Sequence, residues 1–248
     1  MSMLLSPASG HPLLLIHGFA GQPDAWDTVV EGLDVRAVRL RLPGHGPTPE
    51  RIGTTFEDVI DALAAELEGP CDLAAYSMGA RVALGLMVRH PERVNRAVLV
   101  GVSPGLDGEA RAARQRWDER WARSIEGEGI DAFAEAWAGL PLFASQRRLP
   151  RAVLEAQAEA RRNHTAEGLA WAMRHLGTGR MPSYWDALVA VLANVTLVVG
   201  ALDDTYVEIA SRMNERLPHS TVVEVPAVGH NVVLEAPDAC RSALVRDA

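Results

Sequence analysis

The sequence of 248 residues contains no lysine, only two cysteines and no long uninterrupted run of apolar residues. Cys71 and Cys240 provide neither a disulfide framework nor the spacing of a metal site, so we expect both thiols to be reduced and buried. No stretch approaches the roughly 18 apolar residues that a membrane-spanning helix needs. Residues 1–10 lack the basic and apolar regions of a signal peptide. These absences together predict a cytoplasmic protein without a membrane span.

Charge and length narrow the class of protein further. The net charge is −8, which argues against nucleic acid as a partner. Arginine supplies all 24 basic side chains other than histidine. Residues 105–164 contain ten of these arginines and ten acidic residues, so this segment is neutral and the rest of the chain carries the net charge. Apolar residues make up 48% of the chain, enough for the core of one large domain with an insertion.

Short apolar segments alternate with helical patterns along the first 100 residues, and the alternation resumes near the carboxyl terminus. We expect buried strands at residues 13–16, 35–40, 71–76, 96–102, 195–199 and 221–225. Helices are expected at 22–33, from 54 or 55 to 67, after Ser77, at 206–216 and from 236 onward. This alternation predicts an α/β fold, with a mostly parallel sheet and helices on both of its faces.

Between residues 104 and 185 the alternation stops. Helical patterns cover residues 109–125, 130–138, 152–162 and 165–176, with a break expected at 127–129. We therefore expect a sheet core formed by residues 1–103 and 186–248. The helical insertion at 104–185 is long enough to cover one end of the sheet as a lid.

Ser77 lies in the most informative stretch, residues 71–81. Small apolar residues lead into it and a helical apolar pattern follows, which predicts a strand, a sharp turn and a helix. Such a turn crowds the backbone, so its flanking residues must be small, and here they are Ala75, Gly79 and Ala80. The turn is expected to lift the Ser77 hydroxyl above the carboxyl end of the sheet.

Candidate partners of Ser77 follow two later strands. Asp203 and Asp204 come after the strand at 195–199, and His230 comes after the strand at 221–225. Because the carboxyl ends of parallel strands meet at one edge of a sheet, these side chains should converge on Ser77. The histidine would accept the serine proton, and a carboxylate would orient the imidazole. Either aspartate satisfies this pattern.

Two backbone N–H groups are expected to form an oxyanion hole beside Ser77. Met78 follows the serine directly, and Phe19 follows His17-Gly18 at the end of the first strand. We interpret His17 and His45 as structural parts of their glycine-rich loops. The sequence contains no phosphate-binding glycine loop and no histidine spacing typical of a metal site, so no cofactor and no metal are expected.

Six stretches together carry a family pattern: His17-Gly18-Phe19, Tyr76-Ser77-Met78-Gly79-Ala80-Arg81, Arg111 to Arg116, Trp137 to Phe143, Leu176-Gly177-Thr178-Gly179 and Gly229-His230-Asn231. On these residues the chain resembles the α/β-hydrolase superfamily over nearly its whole length. The arginine-rich stretch, the Trp-x-x-x-Pro-x-Phe run and Leu-Gly-Thr-Gly are more specific. They are similar to the 2-succinyl-6-hydroxy-2,4-cyclohexadiene-1-carboxylate synthases of menaquinone biosynthesis.

This resemblance implies a lyase that eliminates pyruvate from a succinylated cyclohexene polycarboxylate, with the serine of a triad taking a ring proton. The family spacing selects Asp203 as the triad acid. Arg162 remains an alternative to Arg161 among the expected substrate ligands. The implied substrate-binding residues are Arg81, Arg114, Arg161, Trp137 and Tyr76. Guanidinium groups bind carboxylates bidentately and keep their charge, so the arginines of residues 105–164 suit such a substrate.

Two other functions remain as alternatives. A carboxylesterase or a C–C bond hydrolase would use the same fold and triad, because a fold does not fix a reaction. A ligand receptor without catalysis would not need Ser77, Asp203 and His230 together. We expect a monomer that acts on a small anionic substrate and binds no nucleic acid.

Overall fold

The computed structural model of the protein describes residues 10–246. Its strands are β1 (Leu13–Ile16), β2 (Ala37–Leu40), β3 (Cys71–Tyr76), β4 (Val94–Val100), β5 (Asn194–Gly200) and β6 (Ser220–Val225). They form one parallel sheet in the order β2-β1-β3-β4-β5-β6. The predicted α/β class is therefore confirmed. The signal-peptide interpretation of residues 1–9 and the outer ends of the two predicted core segments lie outside the described residues.

Helices cover both faces of the sheet. They are α1 (Asp27–Val30), α2 (Phe56–Glu66), α3 (Met78–Arg89), α4 (Gly108–Ala138), α5 (Arg151–Arg162), α6 (Ala166–Leu176), α7 (Asp204–Asn214), α8 (Val232–Glu235) and α9 (Pro237–Arg246). Side chains of a strand point alternately to its two faces. Ile16, Ala75 and Leu99 accordingly pack with α2, α3 and α7. Leu15 and Val100 belong to the second core, on the face covered by α1, α8 and α9.

Two predicted helices begin or end differently from expectation. The α2 helix begins after Thr55, whose side chain caps it in a reciprocal pair with Asp58, so the second of the two expected caps is the one used. The helix expected at 22–33 is only a 3-10 turn, Pro23–Trp26, followed by the single turn α1. It ends early because Glu31 leaves the helical conformation, with ψ 125°, and Gly32 takes a left-handed conformation with φ 75°.

The helices α4, α5 and α6 lie between β4 and β5, together with a 3-10 segment, Pro141–Arg148. The two helices predicted at 109–125 and 130–138 are both present within α4, and they are separated within the expected break by Gly129, whose φ 86° and ψ 175° are not helical. The helices α4 and α6 and the 3-10 segment share a third apolar core that also includes Ala20 of the first loop. None of the helices within residues 10–246 is long and apolar enough to cross a membrane. Both cysteines are free and buried, as expected.

Gly79 permits the close approach of α3 to β1. A Cβ atom at Gly79 would lie 2.7 Å from the carbonyl oxygen of Ile16 and would also overlap the carbonyl oxygen of His17. We expect Gly79→Ala to lower the free energy of unfolding by about 1–3 kcal/mol, because neither carbonyl can move freely. Gly127→Ala is the matched control, since no other atom lies within 4 Å of its Cβ position. Gly127→Ala should raise stability by about 0.5–1 kcal/mol. Urea unfolding of both variants measures the difference, and equal stabilities would contradict this account of the turn.

Candidate active site

The candidate site lies at the carboxyl end of the sheet, where β3 ends at Tyr76 and α3 begins at Met78. Between them Ser77 has φ 52° and ψ −109°, a conformation that costs a non-glycine residue on the order of 1–3 kcal/mol. Space for the turn comes partly from Gly18, where a Cβ atom would lie 2.7 Å from the Tyr76 ring. The strained turn presents the Ser77 hydroxyl above the sheet edge.

Ser77, His230 and Asp203 form a hydrogen-bonded chain. His230 Nε2 lies 3.0 Å from Ser77 Oγ, and His230 Nδ1 lies 2.8 Å from Asp203 Oδ2. A neutral imidazole that donates from Nδ1 to Asp203 leaves Nε2 free to accept the serine proton. Asp203 is 9% exposed, whereas the adjacent Asp204 is exposed in the first turn of α7. Of the two carboxylates that the pattern of strands left open, the geometry brings Asp203 to the imidazole.

Two backbone N–H groups adjoin Ser77 as candidate oxyanion donors. Met78 is the first residue of α3, so its N–H group has no partner within the helix. Phe19 donates no hydrogen bond from its N–H group to another residue in the described part of the chain. Both residues line the cavity that contains Ser77 and His230. Such donors stabilise negative charge that develops on a substrate oxygen.

Arg81 lies on the same cavity, one turn along α3 from Ser77. Its side chain is 5% exposed, and its Nη1 donates to the carbonyl oxygen of Leu176 at 2.6 Å. Burial lowers the pKa of Arg81 to about 10, and the nearby Arg114 guanidinium acts in the same direction. Among residues 10–246 no carboxylate forms an ion pair with Arg81. The site therefore holds a buried cation that no carboxylate contacts directly, although Asp118, the partner of Arg114, acts on it at longer range.

Arg114 also lines this cavity, but a carboxylate already compensates part of its charge. Its Nε donates to Asp118 Oδ1 at 2.7 Å, and its guanidinium lies 4.4 Å from the Trp117 ring centre. The second oxygen of Asp118 accepts from the N–H group of Gly179 at 3.0 Å. Asp118 thus fixes both Arg114 and the turn that follows α6.

A second cavity of about 420 Å³ adjoins the Ser77 cavity of about 250 Å³. Arg161 lines this larger, mostly apolar space and is 6% exposed, with its guanidinium 5.4 Å from the Phe143 ring centre. The neighbouring Arg162 is exposed instead and pairs with Asp131 at 3.0 Å. The partition between the cavities consists of side chains that line both of them: Phe19, Tyr76, Trp137 and Phe143.

Sequence reasoning did not find every residue of this region. Tyr206 lines the Ser77 cavity, and its ring centre lies 4.4 Å from that of His230. Tyr206 could have been predicted near the site from the sequence, because it lies three residues after Asp203 at the start of a helix. The buried Asp118 and the buried His164 had no such signal, because each is recognised only by its partners in space. Residues 10–246 contain no cluster of three histidine, cysteine or acidic side chains suited to a metal.

Residues 13–243 match the α/β hydrolase family, and the chain belongs to this family. It is 32% identical to a Bacillus subtilis (strain 168) protein provisionally named 2-succinyl-6-hydroxy-2,4-cyclohexadiene-1-carboxylate synthase, over 93% of this chain and 88% of that protein. It is 33% identical to the pimeloyl-[acyl-carrier protein] methyl ester esterase of Aromatoleum aromaticum (strain DSM 19018 / LMG 30748 / EbN1), over 95% of this chain and 96% of the esterase. The structure of MenH from S. aureus superposes with a TM-score of 0.90 at 27% identity, covering 96% of this chain and 94% of MenH. The resemblance to the superfamily and to these synthases is confirmed.

The acid of the triad can be tested through the reactivity of Ser77. We expect Asp203→Asn to slow the labelling of Ser77 by a phosphonate about 1,000-fold, because asparagine favours the wrong imidazole tautomer. Asp204→Asn is the matched control, and its exposed side chain should change the rate by no more than about twofold. Labelling rates followed by mass spectrometry decide the assignment. Equal losses in both variants, or a loss only in Asp204→Asn, would overturn it.

Proposed function

We propose that the protein is a lyase of the 2-succinyl-6-hydroxy-2,4-cyclohexadiene-1-carboxylate synthase type, which eliminates pyruvate from a succinylated cyclohexene polycarboxylate. The main support for this proposal is Arg81, a buried cation beside Ser77 that forms no direct ion pair with a carboxylate of the described residues. A buried charge is costly unless an opposite charge approaches it. An anionic substrate supplies that charge, whereas a neutral ester does not. The relatives named as such synthases support the same reaction.

The triad provides the base of the proposed reaction. His230 accepts the Ser77 proton, and the Ser77 oxygen then removes the ring proton next to the ketone of the succinyl group. The electron pair of the broken C–H bond passes into the ring, and the C–O bond to the departing three-carbon unit breaks. His230 returns its proton to that unit, which leaves as pyruvate. The N–H groups of Phe19 and Met78 donate hydrogen bonds to the ketone oxygen and stabilise the negative charge that develops on it.

The arginines divide the binding of the substrate between the two cavities. Arg81 and Arg114 place positive charge at the reacting end, beside Ser77. Arg161 places a third guanidinium in the neighbouring cavity, beyond the aromatic partition. A substrate with carboxylates spread along its length can engage both ends, and Tyr76 and Trp137 in the partition can contact its ring. Binding at separated charges orients the ring proton toward Ser77.

The reaction itself is tested by a direct comparison of substrates. The wild-type protein should release pyruvate from the succinylated intermediate and should turn over short-chain nitrophenyl esters far more slowly, because neutral esters leave Arg81 without a partner. A coupled pyruvate assay run beside an ester panel measures both rates. Ester turnover well above pyruvate release would contradict the lyase assignment. It would favour instead the esterase alternative, which the pimeloyl ester esterase relative and the apolar larger cavity support.

The adjacent Arg161 and Arg162 offer a matched test of the second cavity. We expect Arg161→Ala to lower kcat/KM for pyruvate release by at least about tenfold, because a hydrogen bond to a charged group is worth roughly 1.5–3 kcal/mol. Arg162→Ala should stay near the wild-type value, since its exposed ion pair with Asp131 contributes about 0–1 kcal/mol to stability and does not face the site. Steady-state kinetics of the two variants provide the measurement. A larger loss in Arg162→Ala would exchange the roles of the two arginines.

Other expectations from the sequence remain predictions. These are the monomeric state, the cytoplasmic location, the absence of a cofactor and the division of the chain at residues 103 and 185. The position of α4, α5 and α6 over the site supports the proposed role of residues 104–185 as a lid.

A further inference from the structure

The loop that carries the Phe19 N–H group contains a strained residue. Ala20, directly after Phe19, has φ 54°, in the left-handed region that favours glycine. A residue with a side chain keeps this conformation only where the surrounding contacts hold it there. The position of the candidate oxyanion donor therefore depends on the groups that fix Ala20.

His45 provides the contact that fixes Ala20. Its Nε2 accepts from the N–H group of Ala20 at 3.1 Å, and its Nδ1 lies 3.1 Å from the carbonyl oxygen of Pro43. Nδ1 must then carry the proton and Nε2 the lone pair, so the imidazole acts in its neutral form. Burial holds the pKa of His45 well below its ordinary value, which keeps that form at neutral pH.

His164 extends this contact to the helical insertion. It lies in the turn between α5 and α6, and its Nδ1 accepts from the N–H group of Gly46 at 2.8 Å. Its ring packs edge-on against the ring of His45, with 5.4 Å between the ring centres. Burial lowers the pKa of His164 to about 4, so Nδ1 keeps its lone pair at neutral pH. This hydrogen bond connects the insertion to Gly46, the residue that follows His45 in the chain.

Gln22 joins the same turn of the insertion to the loop that contains Phe19. Its side-chain nitrogen donates to the carbonyl oxygens of Ala160 and Asn163 at 3.1 and 3.2 Å, and it lies 3.3 Å from Nε2 of His164. The insertion is therefore linked to the loop that contains Phe19 in two ways: directly through Gln22, and indirectly through the imidazoles of His164 and His45.

We propose that His164 is a positioning residue that couples the docked insertion to the oxyanion hole, by holding the His45 loop that in turn fixes Ala20 and the Phe19 N–H group. This inference rests on the proposed function through the role of the Phe19 N–H group as an oxyanion donor. His164 lines neither cavity, so it acts without touching the substrate. The oxyanion hole is fully formed only while the turn between α5 and α6 is in place.

Two polar substitutions separate positioning from simple packing. In His164→Asn the side-chain oxygen can occupy the position of Nδ1 and accept from Gly46. In His164→Gln the carboxamide reaches the Nε2 end of the former ring and leaves Gly46 without its acceptor. We expect the Gln variant to lose about tenfold in kcat for pyruvate release with an unchanged KM, because removal of an oxyanion donor costs about 100-fold or more and a displaced donor costs less. The Asn variant should retain most of the activity.

The second readout is the rate at which a phosphonate labels Ser77, because its phosphoryl oxygen also enters the oxyanion hole. Labelling should slow in the Gln variant and recover in the Asn variant, while Asn163→Ala, with an exposed side chain in the same turn, should label at the wild-type rate. Equal labelling of the Asn and Gln variants, or a loss confined to KM, would overturn the inference. If the wild-type protein releases no pyruvate, the proposed function fails, and the labelling comparison still decides the role of His164.

Discussion

The burial of a guanidinium without a carboxylate partner is the constraint on which the site depends. Arg81 projects from the helix that begins after Ser77, and the insertion covers it, with the carbonyl oxygen of Leu176 as its only hydrogen-bond partner among residues 10–246. Removing a cation from water is unfavourable, and one neutral acceptor does not compensate for the lost hydration. The charge of Arg81 is therefore incompletely compensated beside Ser77, and the proposed anionic substrate would compensate it.

The sheet and the insertion contribute different parts of the chemistry. The segments that follow β3, β5 and β6 bring Ser77, Asp203 and His230 together, so the proposed proton-transfer groups are positioned by the sheet. The insertion supplies Arg114, Arg161 and half of the aromatic partition, Trp137 and Phe143. Relatives of the same family have synthase and esterase names, as expected if the shared core provides the base or nucleophile and the insertion selects the substrate.

Sequence patterns predicted the parts of the site that follow from local rules. The turn at Ser77 needs small neighbours, and parallel strands must end at one edge, so the convergence of Ser77 and His230 is predictable from the order of residues alone. The two cavities are not, because the partition is built from residues far apart in the chain. The pairing of Arg114 with Asp118 and the contact between His164 and Gly46 likewise depend on how the insertion docks. The docking of the insertion on the sheet core cannot be predicted from local sequence patterns.

On the proposed function, a bound anionic ligand compensates the positive charge of Arg81. Calorimetric titration of the Ser77→Ala protein with 2-succinylbenzoate, a dianion shaped like the proposed product, and with its neutral dimethyl ester tests this claim directly. The account predicts that the dianion binds at least about tenfold more tightly, as expected for charge-assisted hydrogen bonds. The preference should largely disappear when Arg81 is also replaced by alanine. Equal affinity for the dianion and the diester in the Ser77→Ala protein would contradict the account.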